Sequence, residues 1–484
     1  MTAPAVALHQ LAEAAPGLAG RRGEAAITGL AHDSRVVEPG DLFFCVPGAD
    51  HDGHHFAADA IVRGAAGLVV ERPLGLGCPE VETASVRRAM GPMSAAFYGH
   101  PSRSMIVTGV TGTNGKTTVV GLLGSVLAVA GLRTEVLGTL TGARTTPESL
   151  DLQRQLAGWR TAGVDAVVME VSSHALHQHR VDGVGFDAAV FTNLTSEHLD
   201  YHGTVGEYFA AKARLFAPDL ADRAVVNRGD EHGARLASTA RIPTVVYDPG
   251  SLPVRLKSRG LTMRWRGQDV NLPLIGRFNA ANALAAAEAA LLLGAGVGEV
   301  VAGLESAAPV PGRFEVVESD RPFTAVVDYA HTPDGLAQAL AAGRELVAGS
   351  GSLRVVFGCG GDRDPAKRPL MGRAAAALAD EVVVTSDNPR SEDPEAIIAD
   401  VLAGVSEHFG YPLAELLGGG PTSPGRVSTE PDRRAAIARC LAGAAAGDVV
   451  IVAGKGHEST QVVGDRDLPF DDRAVIREAL GAGR

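Results

Sequence analysis

The chain has 484 residues, 45% of them hydrophobic and 21% charged, with a formal net charge of −12. That length exceeds one ordinary core and implies roughly two to four domains, and the acidic balance excludes a general nucleic-acid binder, which needs a basic face. Cys45, Cys78, Cys359 and Cys440 are far apart with no C-x-x-C pair, which excludes a disulfide framework or zinc knuckle; with no secretory start and no apolar run of spanning length, a cytoplasmic protein is expected.

In chain order, residues 1–102 hold short strand-like runs, Leu42-Phe43-Phe44-Cys45-Val46 and Gly67-Leu68-Val69-Val70. In this segment His51-Asp52-Gly53-His54-His55 lacks zinc-type spacing and reads as a loop. Residues 103–308 alternate apolar strands with helical patterns, through Ala166-Val167-Val168-Met169, Ala188-Ala189-Val190-Phe191 and Ala224-Val225-Val226. That alternation predicts a largely parallel, doubly wound sheet. Pro309-Val310-Pro311-Gly312 reads as a linker. Residues 309–484 repeat the alternation with strands at 325–327, 353–357, 381–384 and 449–452. The fold class is therefore α/β, and ligands are expected beyond the carboxyl ends of strands.

The strongest signal follows Met105-Ile106-Val107: Thr111, Gly112, Thr113, Asn114, Gly115, Lys116 and Thr117 form a glycine-rich loop that opens a helical pattern. Such a loop cradles phosphates with backbone N–H groups, while the lysine neutralises charge and the next hydroxyl can hold Mg²⁺. An ATP or GTP user is expected. The strict pattern wants glycine at position 110, where valine stands.

Only five of the 44 basic residues are lysine: Lys116, Lys212, Lys257, Lys367 and Lys455. A chain that uses arginine for plain positive charge invites the question of what only lysine can do at these positions. Lys257 sits in a polar stretch, and Lys212 in Tyr208-Phe209-Ala210-Ala211-Lys212-Ala213-Arg214-Leu215-Phe216, by pattern an amphipathic helix with a solvated lysine. Glu170 ends one strand and His198 follows another; both are candidate Mg²⁺ ligands, against a reading of such histidines as hydrogen-bonded structural residues. In the last segment Gly360-Gly361-Asp362-Arg363, Asp387-Asn388-Pro389-Arg390 and Gly454-Lys455-Gly456-His457-Glu458 each follow a strand. Arginine forks match carboxylates and Asp or Glu can hold an ammonium, so these clusters fit a zwitterion, or else pair among themselves as loop ions.

Taken in this order, with Asp33-Ser34-Arg35, Thr145-Thr146-Pro147, Met169-Glu170-Val171-Ser172-Ser173-His174, His198-Leu199-Asp200-Tyr201-His202-Gly203 and Asp328-Tyr329-Ala330-His331-Thr332-Pro333, the signatures resemble the Mur ligases over nearly the whole chain. These are ATP-dependent amino-acid ligases of peptidoglycan synthesis, and the likeness is greatest to members that add the third residue of the stem peptide. The resemblance implies three domains: 1–102 for the UDP-linked substrate, 103–308 a central P-loop ATPase, and 309–484 a Rossmann-like domain for the amino acid. It implies that Ser34 holds the uridine nucleotide, and that Thr145, Thr146, Ser172, Gln178 and Arg180 hold the muramoyl-peptide. Lys116 and Thr117 would serve ATP and Mg²⁺, Glu170 and His198 the metals, and Asn279 and Arg313 the ATP. Lys212 matches the lysine that the family carbamylates, which reverses the solvated reading. Lys116, Lys212 and His198 are the implied catalytic residues.

The implied partners are UDP-N-acetylmuramoyl-dipeptide and diaminopimelate, with Arg363, Asp387, Asn388, Pro389, Arg390, Gly454 and Glu458 around the latter. Arg390 suits a distal carboxylate and would repel a lysine ammonium. Two departures stand out: Ser196-Glu197 replaces the family's common arginine-aspartate before histidine, and the stretch from Gly138 to Thr145 is short. A lysine-adding enzyme, a paralogue serving secondary metabolism, and a P-loop NTPase without ligase activity remain alternatives.

Overall fold

The computed structural model describes residues 5–48, 51–142, 144–257, 259–412 and 426–481. Ala143, in the short stretch from Gly138 to Thr145, lies outside them. The chain forms two compact units, one of Met1–Leu194, Gly206–Asp248 and Ala285–Gly303, the other of Thr195–Val205, Pro249–Leu284 and Leu304–Arg484.

The first unit holds two large sheets. A five-stranded one runs in the order Leu18–Arg22, Glu80–Thr83, Gly67–Val70, Asp41–Phe44, Gly29–Ala31, parallel except for its first pair. Its two faces are covered by separate apolar clusters, one including Leu8, Leu42, Val69 and Met93, the other Phe43, Leu68, Val70 and Ala57. The second sheet is six-stranded and wholly parallel, in the order Thr244–Tyr247, Ala224–Asn227, Ala188–Phe191, Ile106–Thr111, Ala166–Glu170, Thr134–Leu137. The chain leaves Ile106–Thr111 toward one edge and returns to the other side of it, so a topological switch point falls at the end of that strand. His54 and His55 lie on a short 3-10 turn, Gly53–Phe56, and not in the plain loop expected; His54 Nε2 accepts from Glu71 N at 2.9 Å, which puts the proton on Nδ1, 2.6 Å from Asp52 Oδ1.

The second unit is built on a six-stranded sheet ordered Glu315–Val317, Thr324–Asp328, Val449–Ala453, Leu353–Phe357, Glu381–Thr385, Arg426–Glu430. Only its first pair is antiparallel. Val326, Val355, Val384 and Ile451 face one core, and Val327, Val356, Val383 and Val452 the other. Burial on both faces explains why these strands read as continuous apolar runs.

Two antiparallel elements correct the expectation of plain strand–helix alternation. Val254–Lys257, Gly260–Trp265 and Gln268–Leu272 form a three-stranded sheet, and Thr460–Val463 pairs with Arg466–Pro469 as a hairpin. The strands of the three-stranded sheet mix polar with apolar residues and those of the hairpin are half polar, so neither carries the all-apolar run that marks a doubly covered strand. Lys257 accordingly lies on a strand, with Nζ 2.8 Å from Asn271 Oδ1.

Candidate active site

The strand Ile106–Thr111 feeds the glycine-rich loop, which opens the helix Lys116–Val129. Val110 is a buried strand residue in register with Glu170 and Val190, so the chain needs no glycine there: the turn begins at Gly112. Gly112 has φ +149° and a Cβ there would lie 1.8 Å from Thr192 Oγ1. Gly115 caps the helix at φ +86°. The loop is braced from the neighbouring strand end. Thr113 N donates to Asn193 O, Asn114 N to Asn193 Oδ1 and Thr192 Oγ1 to Asn114 O, at 2.9, 2.9 and 2.7 Å. Thr113 Oγ1 lies 3.1 Å from Tyr208 Oη.

Lys116 Nζ donates to the carbonyls of Gly112 and Thr113 at 2.9 and 2.8 Å. Lys212, on the helix Val205–Ala213, is 1% exposed, and its Nζ donates to Gly112 O at 2.8 Å and lies 4.5 Å from the centre of the Tyr208 ring. The amphipathic pattern made this lysine solvated; folding turns it against the phosphate loop instead.

Glu170 ends the strand beside the loop strand and is 1% exposed. It accepts from Thr139 N and Oγ1 at 2.9 and 3.3 Å. A side chain at Gly138 would collide with it, since Cβ would stand 2.2 Å from Oε1. Next to Glu170 the five residues assigned to the muramoyl-peptide gather. Thr146 Oγ1 donates to Glu170 O and accepts from Ser172 N, Arg180 donates to Thr146 O and Gln178 Oε1, and Thr145 Oγ1 lies 3.2 Å from Thr139 Oγ1. Glu148 joins them, with Arg180 at 3.1 Å and Arg87 at 3.5 Å. Ser34 opens a short 3-10 turn capped by Asp33, whose carboxylate accepts from Arg35 N, Nε and Nη2. The Arg35 fork holds Asp33 down to about 2.

In the second unit His198 has φ +57° and its Nε2 lies 3.7 Å from Glu197 Oε1, which also lies 3.3 Å from His331 Nε2. Asn279 is buried and donates to Ile275 O at 2.8 Å, and the Arg313 guanidinium lies 4.3 Å from the centre of the Tyr329 ring. The three strand-end clusters meet. Arg390 Nη1 donates to Gly361 O at 2.6 Å, Asn388 Nδ2 to Glu458 Oε2 at 2.9 Å, and Gly361 N to Asn388 O at 2.9 Å. Gly454, at φ +116°, adjoins Asp387, where a Cβ would make ordinary contact at 3.5 Å from its carboxyl carbon; the positive φ is what favours glycine there. Arg363 is exposed beside Gly360. Burial pushes the Asp387 carboxyl above its ordinary range, against the pull of Arg433 and Lys455.

Family models match in three places: the Mur ligase family catalytic domain over residues 26–97, the Mur ligase middle domain over 110–290, and the Mur ligase glutamate ligase domain over 312–456. The chain belongs to the Mur ligase family.

This Mur ligase is 44% identical over 481 residues to the UDP-N-acetylmuramoyl-L-alanyl-D-glutamate–2,6-diaminopimelate ligase of Geobacillus kaustophilus, covering 94% of this chain and 95% of the relative. The ligase of the same name from Streptomyces coelicolor is 42% identical over 499 residues, covering 96% and 94%. A solved structure bearing that name superposes with a TM-score of 0.66 at 34% identity, covering 94% of this chain and 95% of the other. The MurF ligase of Thermotoga maritima in complex with ADP shares the fold, with a TM-score of 0.63 at 19% identity and coverage of 94% and 96%.

Sequence reasoning on this Mur ligase left several site residues unassigned. Thr192 and Asn193 brace the phosphate loop; they stand at a strand end, the one signal that pointed to them. Lys455, already marked by the scarcity of lysine, is fully buried between Asn388, Glu458 and Asp387. Arg87 and Glu148 carried no signal, because their meeting depends on folding across 61 positions.

Proposed function

We propose that this chain joins diaminopimelate to UDP-N-acetylmuramoyl-L-alanyl-D-glutamate at the expense of ATP. The observation that carries the reading is the pairing of an ATP-type phosphate loop with a carboxylate-and-guanidinium site on Asp387–Arg390, in a chain 42–44% identical to ligases of that name. The γ-phosphoryl of ATP passes to the free carboxylate of the dipeptide, giving an acyl phosphate. The amine of diaminopimelate attacks it and phosphate leaves. Activation is required because a carboxylate is a poor acyl acceptor for an amine.

Each chain residue has a role in this scheme. Backbone N–H groups of residues 112–117 cradle the phosphates and Lys116 offsets their charge. Thr145, Thr146, Ser172, Gln178 and Arg180 hold the muramoyl-peptide, Ser34 the uridine, and Asn279 and Arg313 the ATP. Arg390 and Asn388 offer donors to the distal carboxylate of diaminopimelate. The buried Asp387 Oδ1, which has no hydrogen-bond donor among the described residues, and Glu458 offer acceptors to its ammonium. Arg363, Pro389 and Gly454 complete that site.

The donors present suit Mg²⁺. The Thr117 hydroxyl and the buried Glu170 carboxylate are hard oxygen ligands, and Glu170 keeps lone pairs beyond the two bonds from Thr139. A carbamate on Lys212 would add a further oxygen; His198, the other ligand the resemblance implies, belongs to the second unit. Mg²⁺ supplies charge compensation during phosphoryl transfer. Among the described residues no helix is long and apolar enough to cross a membrane; a cytoplasmic place accords with nucleotide substrates. Three domains, 1–102, 103–308 and 309–484, are proposed on the ground that each contains one five- or six-stranded sheet.

The test is an amide-forming assay with the UDP-linked dipeptide, ATP and either diaminopimelate or lysine. Diaminopimelate should be preferred, and Arg390→Ala should lose that use. A preference for lysine, or undiminished diaminopimelate use in the variant, would overturn the reading.

A further inference from the structure

The loop Asp387-Asn388-Pro389-Arg390 is held in shape by groups outside it. Lys455 is fully buried, and its Nζ donates to Asn388 Oδ1 at 2.9 Å and to Glu458 Oε2 at 3.1 Å, with Asp387 Oδ1 3.7 Å away. Asn388 Oδ1 also accepts from Val462 N at 3.0 Å, while Asn388 Nδ2 donates to Glu458 Oε2 at 2.9 Å. These bonds determine which way the amide faces. Turned by half a rotation, its NH₂ would meet an ammonium and an N–H, and its oxygen would meet a carboxylate.

The hairpin of Thr460–Val463 and Arg466–Pro469 supplies the rest of the hold. Gln461 Nε2 donates to Asp387 O at 2.7 Å, Arg390 N to Val462 O at 3.1 Å, and Gly464 N to Arg390 O at 2.7 Å. Arg390 has φ +51°, in the left-handed region that a free arginine seldom visits. The hairpin bonds flank that residue on both sides and keep it there.

We propose that Lys455 and Gln461 are positioning residues for amino-acid selection. Lys455 acts through the amide of Asn388 and the carboxylate of Glu458, and Gln461 through the backbone of Asp387. The proposal rests on the assignment of this loop to the amino-acid site. With its oxygen turned to Lys455, Asn388 has a second Nδ2 hydrogen to offer beside Arg390, and the pair receives a carboxylate. Without Lys455 the amide keeps only its bonds with Val462 N and Glu458, and its donor is held less firmly toward the carboxylate. Discrimination between a distal carboxylate and a distal ammonium then weakens.

The experiment measures steady-state kinetics of the full chain for all three substrates in wild type, Lys455→Met and Gln461→Ala. Wild-type preference between diaminopimelate and lysine is read first; a preference for lysine overturns the diaminopimelate assignment and leaves positioning to be read on lysine. For Lys455→Met, the KM of the preferred amino acid should rise, and its kcat/KM advantage fall, about tenfold or more, the scale of one lost charge-assisted bond. Gln461→Ala should raise the same KM about threefold, with the KM values of ATP and the UDP-linked dipeptide within about twofold in both variants. A parallel rise in all three KM values, or an unchanged amino-acid KM, overturns the proposal. Gln461→Ala decides alone if Lys455→Met does not fold.

Discussion

Lys116 and Lys212 converge on one backbone oxygen: the carbonyl of Gly112 accepts from both ammonium groups, at 2.9 and 2.8 Å. Two like charges on one acceptor repel, and in a buried setting the repulsion is weakly screened. The carbamate proposed on Lys212 would change its charge from +1 to −1, turn that repulsion into attraction and offer an oxygen to the proposed Mg²⁺. Arginine keeps its charge and cannot make this change.

Lys212→Ala and Lys212→Arg should therefore each lose activity by about 10²–10³, the usual cost of removing a group that stabilises charge in a transition state. Protein depleted of carbon dioxide should lose activity that bicarbonate restores in the wild type and not in Lys212→Arg. Wild-type activity indifferent to depletion would count against the carbamate.

The turn that carries Ser34 should be acid-sensitive. Asp33 sits at about 2, below its ordinary 3.8, because Arg35 hydrogen-bonds it. A depressed carboxylate contributes stability in full above its ordinary value and loses it as pH falls toward the folded one. The contribution is thus present at neutral pH and disappears between about 4 and 2. NMR titration should put the Asp33 midpoint near the lower end, and Arg35→Ala should return it to the ordinary carboxylate range.

Arg433 and Asp472 are both fully buried and joined by two bonds, Nε to Oδ1 at 2.8 Å and Nη2 to Oδ2 at 2.7 Å. Arg433 also donates to Ala453 O at 2.9 Å, one residue before Gly454. Asp472→Asn removes the carboxylate charge bonded to the buried guanidinium and should cost about 3–5 kcal/mol in denaturant unfolding. A cost below about 1 kcal/mol would show that the pair is dispensable.

Thiol chemistry offers a check on the fold. Burial pushes Cys45, Cys359 and Cys440 up to about 12, whereas Cys78 is half-buried. Iodoacetamide at pH 8 should label Cys78 first in the native protein and all four cysteines after unfolding. Early labelling of Cys359 would contradict the packing of the second unit.

Sequence reading reached the parts of this protein whose chemistry is local. The phosphate loop, the doubly covered parallel strands and the arginine-bearing strand ends each lie within a few consecutive residues, so their patterns survive without folding. Val110 shows the limit of a strict motif: it is a buried strand residue, and the turn starts two positions later. The buried state of Lys212 was hidden because a helix stripe reports only which residues share a face, not what covers it. The three-stranded sheet at 254–272 and the hairpin at 460–469 were missed because short strands rich in polar, exposed residues resemble loops. The contacts of Lys455 with Asn388 span 67 positions and exist only in the folded chain.

The most direct test of the central claim is mass spectrometry of the product formed from UDP-N-acetylmuramoyl-L-alanyl-D-glutamate, ATP and an equimolar mixture of diaminopimelate and lysine. The account predicts a single new species carrying diaminopimelate, with one phosphate released for each amide formed. A lysine adduct, or phosphate release that continues without any amino acid, would contradict it.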